Sequence, residues 1–135
     1  MQKGVPQIMD ITSIKSVLHD LSEEVLPSRF ETAQQPEPNI IQFCLRGINN
    51  QTWIEVSWDS DSPRILKINR PEKIGTESTL SKQLRYGLKY MALVSIEQDK
   101  FERVIKFGFA KKPGDEIKKY LVFELMGKHS NIFYL

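Results

Sequence analysis

Short apolar runs with a period of two, broken at close intervals by turn residues, constrain this chain more than any other feature. Ile41, Phe43 and Leu45 alternate with Gln42, Cys44 and Arg46, and Gly47-Ile48-Asn49-Asn50 then marks a turn. Thr52, Ile54, Val56 and Trp58 share one face, with Trp53, Glu55 and Ser57 on the other. Asp59-Ser60-Asp61-Ser62-Pro63 turns the chain again before a strand over 65–68. Connections this short join antiparallel neighbours, so the pattern predicts an antiparallel meander.

Helical spacing occurs twice. Ile11, Ile14, Val17, Leu18, Leu21 and Val25 form one apolar stripe, with Asp10 placed to cap its start and Pro27 to stop it. Leu80, Leu84 and Leu88 form a second, capped by Ser78 or Thr79. Gly87 costs ~1 kcal/mol there relative to alanine and marks its end. Residues 29–35 read as a short strand or extended segment, and Pro36 and Pro38 mark a turn. Residues 69–78, polar and holding Pro71 and Gly75, read as an exposed loop. A strand over 91–98 places Ala92, Val94 and Ile96 on one face, and the next sets Phe101, Arg103, Ile105, Phe107 and Phe109 on one face. Residues 110–116 are a loop, and 121–135 form two strands around a cationic turn or bulge at Met126-Gly127-Lys128-His129-Ser130-Asn131. The expectation is one α+β domain over 1–135, with sandwich-like antiparallel sheets and two flanking helices.

Composition narrows the function. The only cysteine is Cys44 and the only histidines are His19 and His129, which excludes a disulfide framework or a cysteine-rich zinc site, and no metal or cofactor is expected. Residues 1–6 lead into no apolar segment and no run reaches the ~20 residues of a membrane helix, so neither signal peptide nor membrane partner is expected. Residues 1–78 carry 8 basic and 11 acidic side chains, net −3, whereas 79–135 carry 11 and 6, net +5. A basic half points to an anionic partner or to a solvated lysine-rich surface. Carboxylates are scattered and no nucleophile–base arrangement stands out, so the chain is not expected to be an enzyme. Arg103 is the local conflict, a guanidinium set among phenylalanines. It must lie at the strand's edge or be paired, with Glu55 or Glu124 as candidate partners.

Glu124-Leu125-Met126-Gly127-Lys128-His129-Ser130-Asn131-Ile132 closely resembles the E-L-M-G-[RK]-x-S-N motif of the N-terminal domain of NFACT proteins. That family includes bacterial proteins once named fibronectin-binding proteins and the ribosome quality-control factors that add alanine tails. Arg29, Gln35-Pro36 and Leu45-Arg46 match its pattern of a basic residue, Gln-Pro and a strand ending Leu-Arg, and Leu84-Arg85 with Leu88 resembles its L-R-K-x-L helix, with Tyr86 where a lysine is more common. Glu102-Arg103 stands where the family has Asp-Arg.

The resemblance implies a fold like the N-terminal domain of formamidopyrimidine-DNA glycosylases. Glycosylase chemistry is not expected, because those enzymes use an N-terminal Pro-Glu and this chain begins Met1-Gln2. It further implies a cytoplasmic factor that binds tRNA and the large ribosomal subunit stalled with peptidyl-tRNA, and that supports non-templated tailing of nascent chains. By this resemblance Glu102 and Arg103, with Asp10 as a third, are assigned to tRNA recognition. Arg85, Lys106, Gly127, Lys128, His129, Ser130 and Asn131 are further RNA-facing or motif candidates. The alternatives are a fibronectin-binding adhesin and a purely structural module. The resemblance covers the first module of longer proteins, so the chain is expected to be a fragment of one.

Overall fold

The computed structural model describes residues 11–59, 61–98, 103–125 and 131–134. Helix α1 (Ile11–Val25) precedes strands β1 (Ser28–Glu37), β2 (Ile40–Arg46), β3 (Gln51–Ser57) and β4 (Arg64–Ile68). Helix α2 (Thr79–Leu88) then leads to β5 (Ala92–Gln98), β6 (Val104–Ala110), β7 (Lys119–Glu124) and β8 (Asn131–Tyr134). Every strand pair is antiparallel, in the order β4-β3-β2-β1-β5-β6-β7-β8.

This continuous ladder is folded upon itself. Two residue pairs, Ser28–Leu93 and Arg29–Ala92, join β1 to β5. In a flat sheet β2 and β7 would lie four strand spacings apart, about 19 Å. Instead, the rings of Phe43 on β2 and Phe123 on β7 are 6.3 Å apart between centres and nearly parallel. Phe43 also meets Phe107 of β6 edge-on at 5.7 Å. The strands therefore form two four-stranded halves packed face to face, and the sandwich-like α+β expectation stands.

The alternation explains the core. Ile41, Phe43 and Leu45 of β2 point inward with Ile54 and Val56 of β3 and Ile105, Phe107 and Phe109 of β6. Phe30 completes the aromatic cluster, stacked on Phe43 and edge-on to Phe109. Helix α1 adds Ile14, Leu18, Leu21 and Val25 to the same cluster, and α2 adds Leu84 and Leu88. Ser78 caps α2 through a reciprocal box: its hydroxyl accepts the Ser81 amide, and the Ser81 hydroxyl accepts the Ser78 amide.

Strand β5 departs from strict alternation. Ala92 and Leu93 are both buried, because the register shifts between Leu93 and Ser95. The bulge places Ser95 opposite Gly108, where a side chain on residue 108 would collide with the Ser95 hydroxyl. Residues 69–78 form the expected exposed loop and lean on the outer face of the first half. Gln34 of β1 tethers them, donating to the Glu72 carbonyl at 2.9 Å and accepting the Ile74 amide at 3.2 Å. Gln42 and Cys44, on the outward side of β2, are buried too, Gln42 bonded to Gln34 and Glu55 and Cys44 to Glu31.

Candidate nucleic-acid interface and a separate cavity

Pairing of β6 with β7 brings two distant segments to one corner. Val104 lies opposite Glu124, and Glu124 lies opposite Asn131 of β8. Immediately before β6, the Arg103 carbonyl accepts the Leu125 amide at 2.7 Å. Arg103 is therefore set beside the strand that leads into the cationic segment. It stands at a bend, partly exposed, rather than on the apolar face of a strand as its spacing suggested. The inward positions of β6 begin at Ile105, and the guanidinium escapes the cost of a buried charge. Glu55, one candidate partner, is held instead by Arg64 at 3.0 Å and by Gln42 at 2.9 Å.

Lys106 is exposed on β6, its ammonium 6.0 Å from the Tyr120 ring centre. Asp10, Glu102, Gly127, Lys128, His129 and Ser130 lie outside the described residues, as does the turn expected around them, and Asn131 is described by its backbone. Arg85 does not join this corner. It lies on α2, whose Gly87 carbonyl accepts from Lys119 at the start of β7. That is five residues from Glu124, roughly 17 Å along a strand.

The residues matching the Arg…Gln-Pro…Leu-Arg pattern do architectural work. Arg29 lies opposite Arg46 in the β1–β2 register and donates to the Tyr90 carbonyl at 2.8 Å. This clamps the α2–β5 turn, where Tyr90 adopts a positive φ of 66°. Gln35 closes the turn after β1 by donating to the Pro38 carbonyl. Arg46 and Gln51 both donate to Glu31, at 2.8 and 2.7 Å, and the Cys44 thiol donates to it at 3.3 Å. The bond from Arg46 is the largest influence holding the Glu31 carboxyl below its usual range, against burial, which raises it. Burial, then the bond to Glu31, pushes the Cys44 thiol up to about 12.

A second feature was not singled out from the sequence. Between the outer face of β1 and β3, the 70–77 segment and α2 lies a cavity of about 680 Å³. Trp53, Arg70, Lys73, Glu77 and Arg85 line it. Arg85 pairs with Glu77 through one terminal nitrogen. The Arg85 Nε–H and the Trp53 indole N–H are both sealed from solvent with no acceptor among the described residues. The signal for Trp53 was present in the alternation, which puts this large aromatic on the polar side of its strand with Glu55. Among the described residues, no group of three His, Cys, Asp or Glu side chains could hold a metal ion.

A folded-over antiparallel sheet with two helices, a partly exposed arginine corner and a cation-lined cavity defines a domain of the α+β class. The model of the family "NFACT N-terminal and middle domains" matches residues 10–135, and the chain belongs to that family. No curated protein matches the chain. Among solved structures, it is similar to the N-terminal domain of the fibronectin-binding protein PavA from Streptococcus pneumoniae, at 28% identity and a TM-score of 0.75 over 87% of this chain. It is also similar in fold to the N-terminal part of the fibronectin/fibrinogen-binding protein from Streptococcus suis (23% identity, TM-score 0.78, 90% of this chain). A fibrinogen binding protein from Staphylococcus aureus shares the fold too (21%, 0.71, 88%). The chain spans 47%, 47% and 43% of those three structures, less than half of each.

Proposed function

We propose that this domain is a non-catalytic tRNA-engaging module of a cytoplasmic ribosome quality-control factor, one that joins stalled large ribosomal subunits and supports non-templated tailing of nascent chains. The observation that carries the reading is the meeting of Arg103 with Glu124, Leu125 and Asn131 at one corner. Two segments that resemble family signatures, far apart in sequence, become neighbours there, beside a half of the chain with net charge +5. A partly exposed guanidinium is suited to paired contacts with phosphate, and exposed lysines such as Lys106 add point charges. Glu102, the longer counterpart of the family's aspartate, would accept hydrogen bonds from ribose or base.

Titration of labelled tRNA at two salt concentrations tests the reading. Binding is weak and falls steeply with salt, and Arg103→Ala lowers the log–log salt slope by about one. Equal affinity and slope for wild type and variant removes Arg103 from the interface. Co-sedimentation of the longer protein with ribosomal subunits tests the assembly. A second reading, fibronectin binding, is favoured by the 28% identity to a protein described as fibronectin-binding. Retention on immobilised fibronectin, with none by tRNA in the same buffer, selects it.

A further inference from the structure

The cations of the domain are not spread evenly. Arg29, Ala92 and Ala110 stand side by side across β1, β5 and β6, and Lys119 of β7 lies opposite Phe109. Lys111 and Lys112 continue past Ala110 into an exposed turn. Lys119 donates to the Gly87 carbonyl near the end of α2, and Arg29 donates to the Tyr90 carbonyl just beyond it. One end of the molecule thus gathers Arg29, Lys89, Lys111, Lys112 and Lys119 against Asp115, while Lys118 is paired with Glu116. The Arg103 corner stands at the other end of β6, about 20 Å along the strand. Two tyrosines share the cationic end. The exposed large hydrophobic residues among those described are Ile48, Tyr86 and Tyr90, and the tyrosines are 83% and 65% exposed. Lys82, Tyr86 and Lys89 recur at i, i+4 and i+7 on the open side of α2, a helix with no acidic residue. Tyr90 follows in a left-handed backbone, φ 66°, where glycine is the ordinary residue. Its backbone is held by Arg29 and by the Phe30 carbonyl, yet its ring stays in the open, so packing does not account for a tyrosine there. The Lys89 ammonium lies 5.1 Å from the centre of that ring, which sets a cation beside an aromatic face.

We propose that this end of the domain is a second nucleic-acid surface, one that takes single-stranded RNA, with phosphates on the lysines and unpaired bases stacked on Tyr86 and Tyr90. A lysine cluster alone suits any polyanion. Exposed rings set among the lysines favour one whose bases are open to stack, and a paired duplex hides those faces. An anionic membrane fits less well, because among the described residues no Leu, Phe or Trp is exposed to enter it. In choosing RNA over DNA the proposal rests on the tRNA reading; in its residues it stands apart, at the opposite end of β6 from Arg103.

Titration of the whole chain into a labelled, unstructured RNA of about 12 nucleotides tests it. The strand binds, and its affinity falls with salt. Tyr86→Ala/Tyr90→Gly weakens it about tenfold or more and leaves the log–log salt slope unchanged, because stacking releases no counterions. Tyr86→Phe/Tyr90→Phe keeps the rings and keeps the binding. Lys111→Gln/Lys112→Gln lowers the slope by about 1.4, the share of two phosphates on a single strand. A duplex of the same sequence is indifferent to the loss of the tyrosines. Glycine suits the backbone at position 90, so Tyr90→Gly melts close to wild type. A large fall in its Tm makes the ring structural and overturns its assigned role. Arg103→Ala leaves affinity for the oligonucleotide unchanged, so a failure of the tRNA corner and a failure of this surface are told apart. No binding at low salt, or equal affinity in the tyrosine-free variant, overturns the proposal. DNA of the same sequence binding as tightly overturns the choice of RNA. Tyrosine-dependent capture by phosphatidylserine vesicles, with none by RNA, selects a membrane and overturns it.

Discussion

Arg46 holds Glu31 through two of its N–H groups, Nε at 3.2 Å and Nη2 at 2.8 Å from the same carboxylate oxygen. The other oxygen accepts from Gln51 and Cys44. Because the folded protein lowers the Glu31 pKa, the contribution is present above the unfolded value and is lost as pH falls through the folded one. Arg46→Ala is therefore less stable than wild type at pH 7. The gap closes as pH drops from 4.5 through the depressed value of Glu31, followed by urea unfolding across that range.

Cys44 is a buried thiol whose pKa is pushed up to about 12. Thiolate, the reactive form, is then scarce at neutral pH. A thiol reagent at pH 8 leaves the native protein unlabelled over hours and reacts at once in denaturant. Rapid labelling of the folded chain would show that the outer face of β2 opens.

A Cβ on Gly108 would lie 2.4 Å from the Ser95 hydroxyl and 2.9 Å from Ile117 Cδ1. Both atoms end side chains, so the Ser95 hydroxyl and the Ile117 methyl must turn away or the strands must shift to make room. Gly108→Ala is expected to cost about 1–3 kcal/mol, read from the shift of the denaturation midpoint. Gly75, with nothing near its Cβ position, is the control, and Gly75→Ala leaves the midpoint nearly unchanged.

The reciprocal box at the start of α2 makes Ser78 a cap with a measurable contribution. Ser78→Ala lowers stability by about 1 kcal/mol, and Ser78→Asp keeps most of it. Both are followed by the midpoint of helical circular dichroism on heating.

Alternation and caps by themselves settled the elements. The inward faces of β2, β3 and β6, the stop before Pro27 and the Ser78 cap all follow from side-chain period and local hydrogen bonding. These depend on near neighbours in sequence and are written there. The family, too, was legible, because the 124–132 motif, the Arg103 strand and the Leu-Arg pairs are strings of residues. The bulge in β5 was not, since it answers to Gly108 on another strand. Nor was the position of Arg103: periodicity put it on an apolar face, whereas the bond to Leu125 sets it at a bend before the strand.

Folding of the sheet decided the rest. A period of two says which side of a strand is buried but not what covers it. Stacking the halves through Phe43 and Phe123 buries one face of each, and the 69–78 segment is tethered by Gln34 along part of the other face of the first half. Glu77 of that segment pairs with Arg85, which lines one cavity with Trp53, Arg70 and Lys73. Such groupings arise from contacts between elements distant along the chain, and only tertiary packing brings them together.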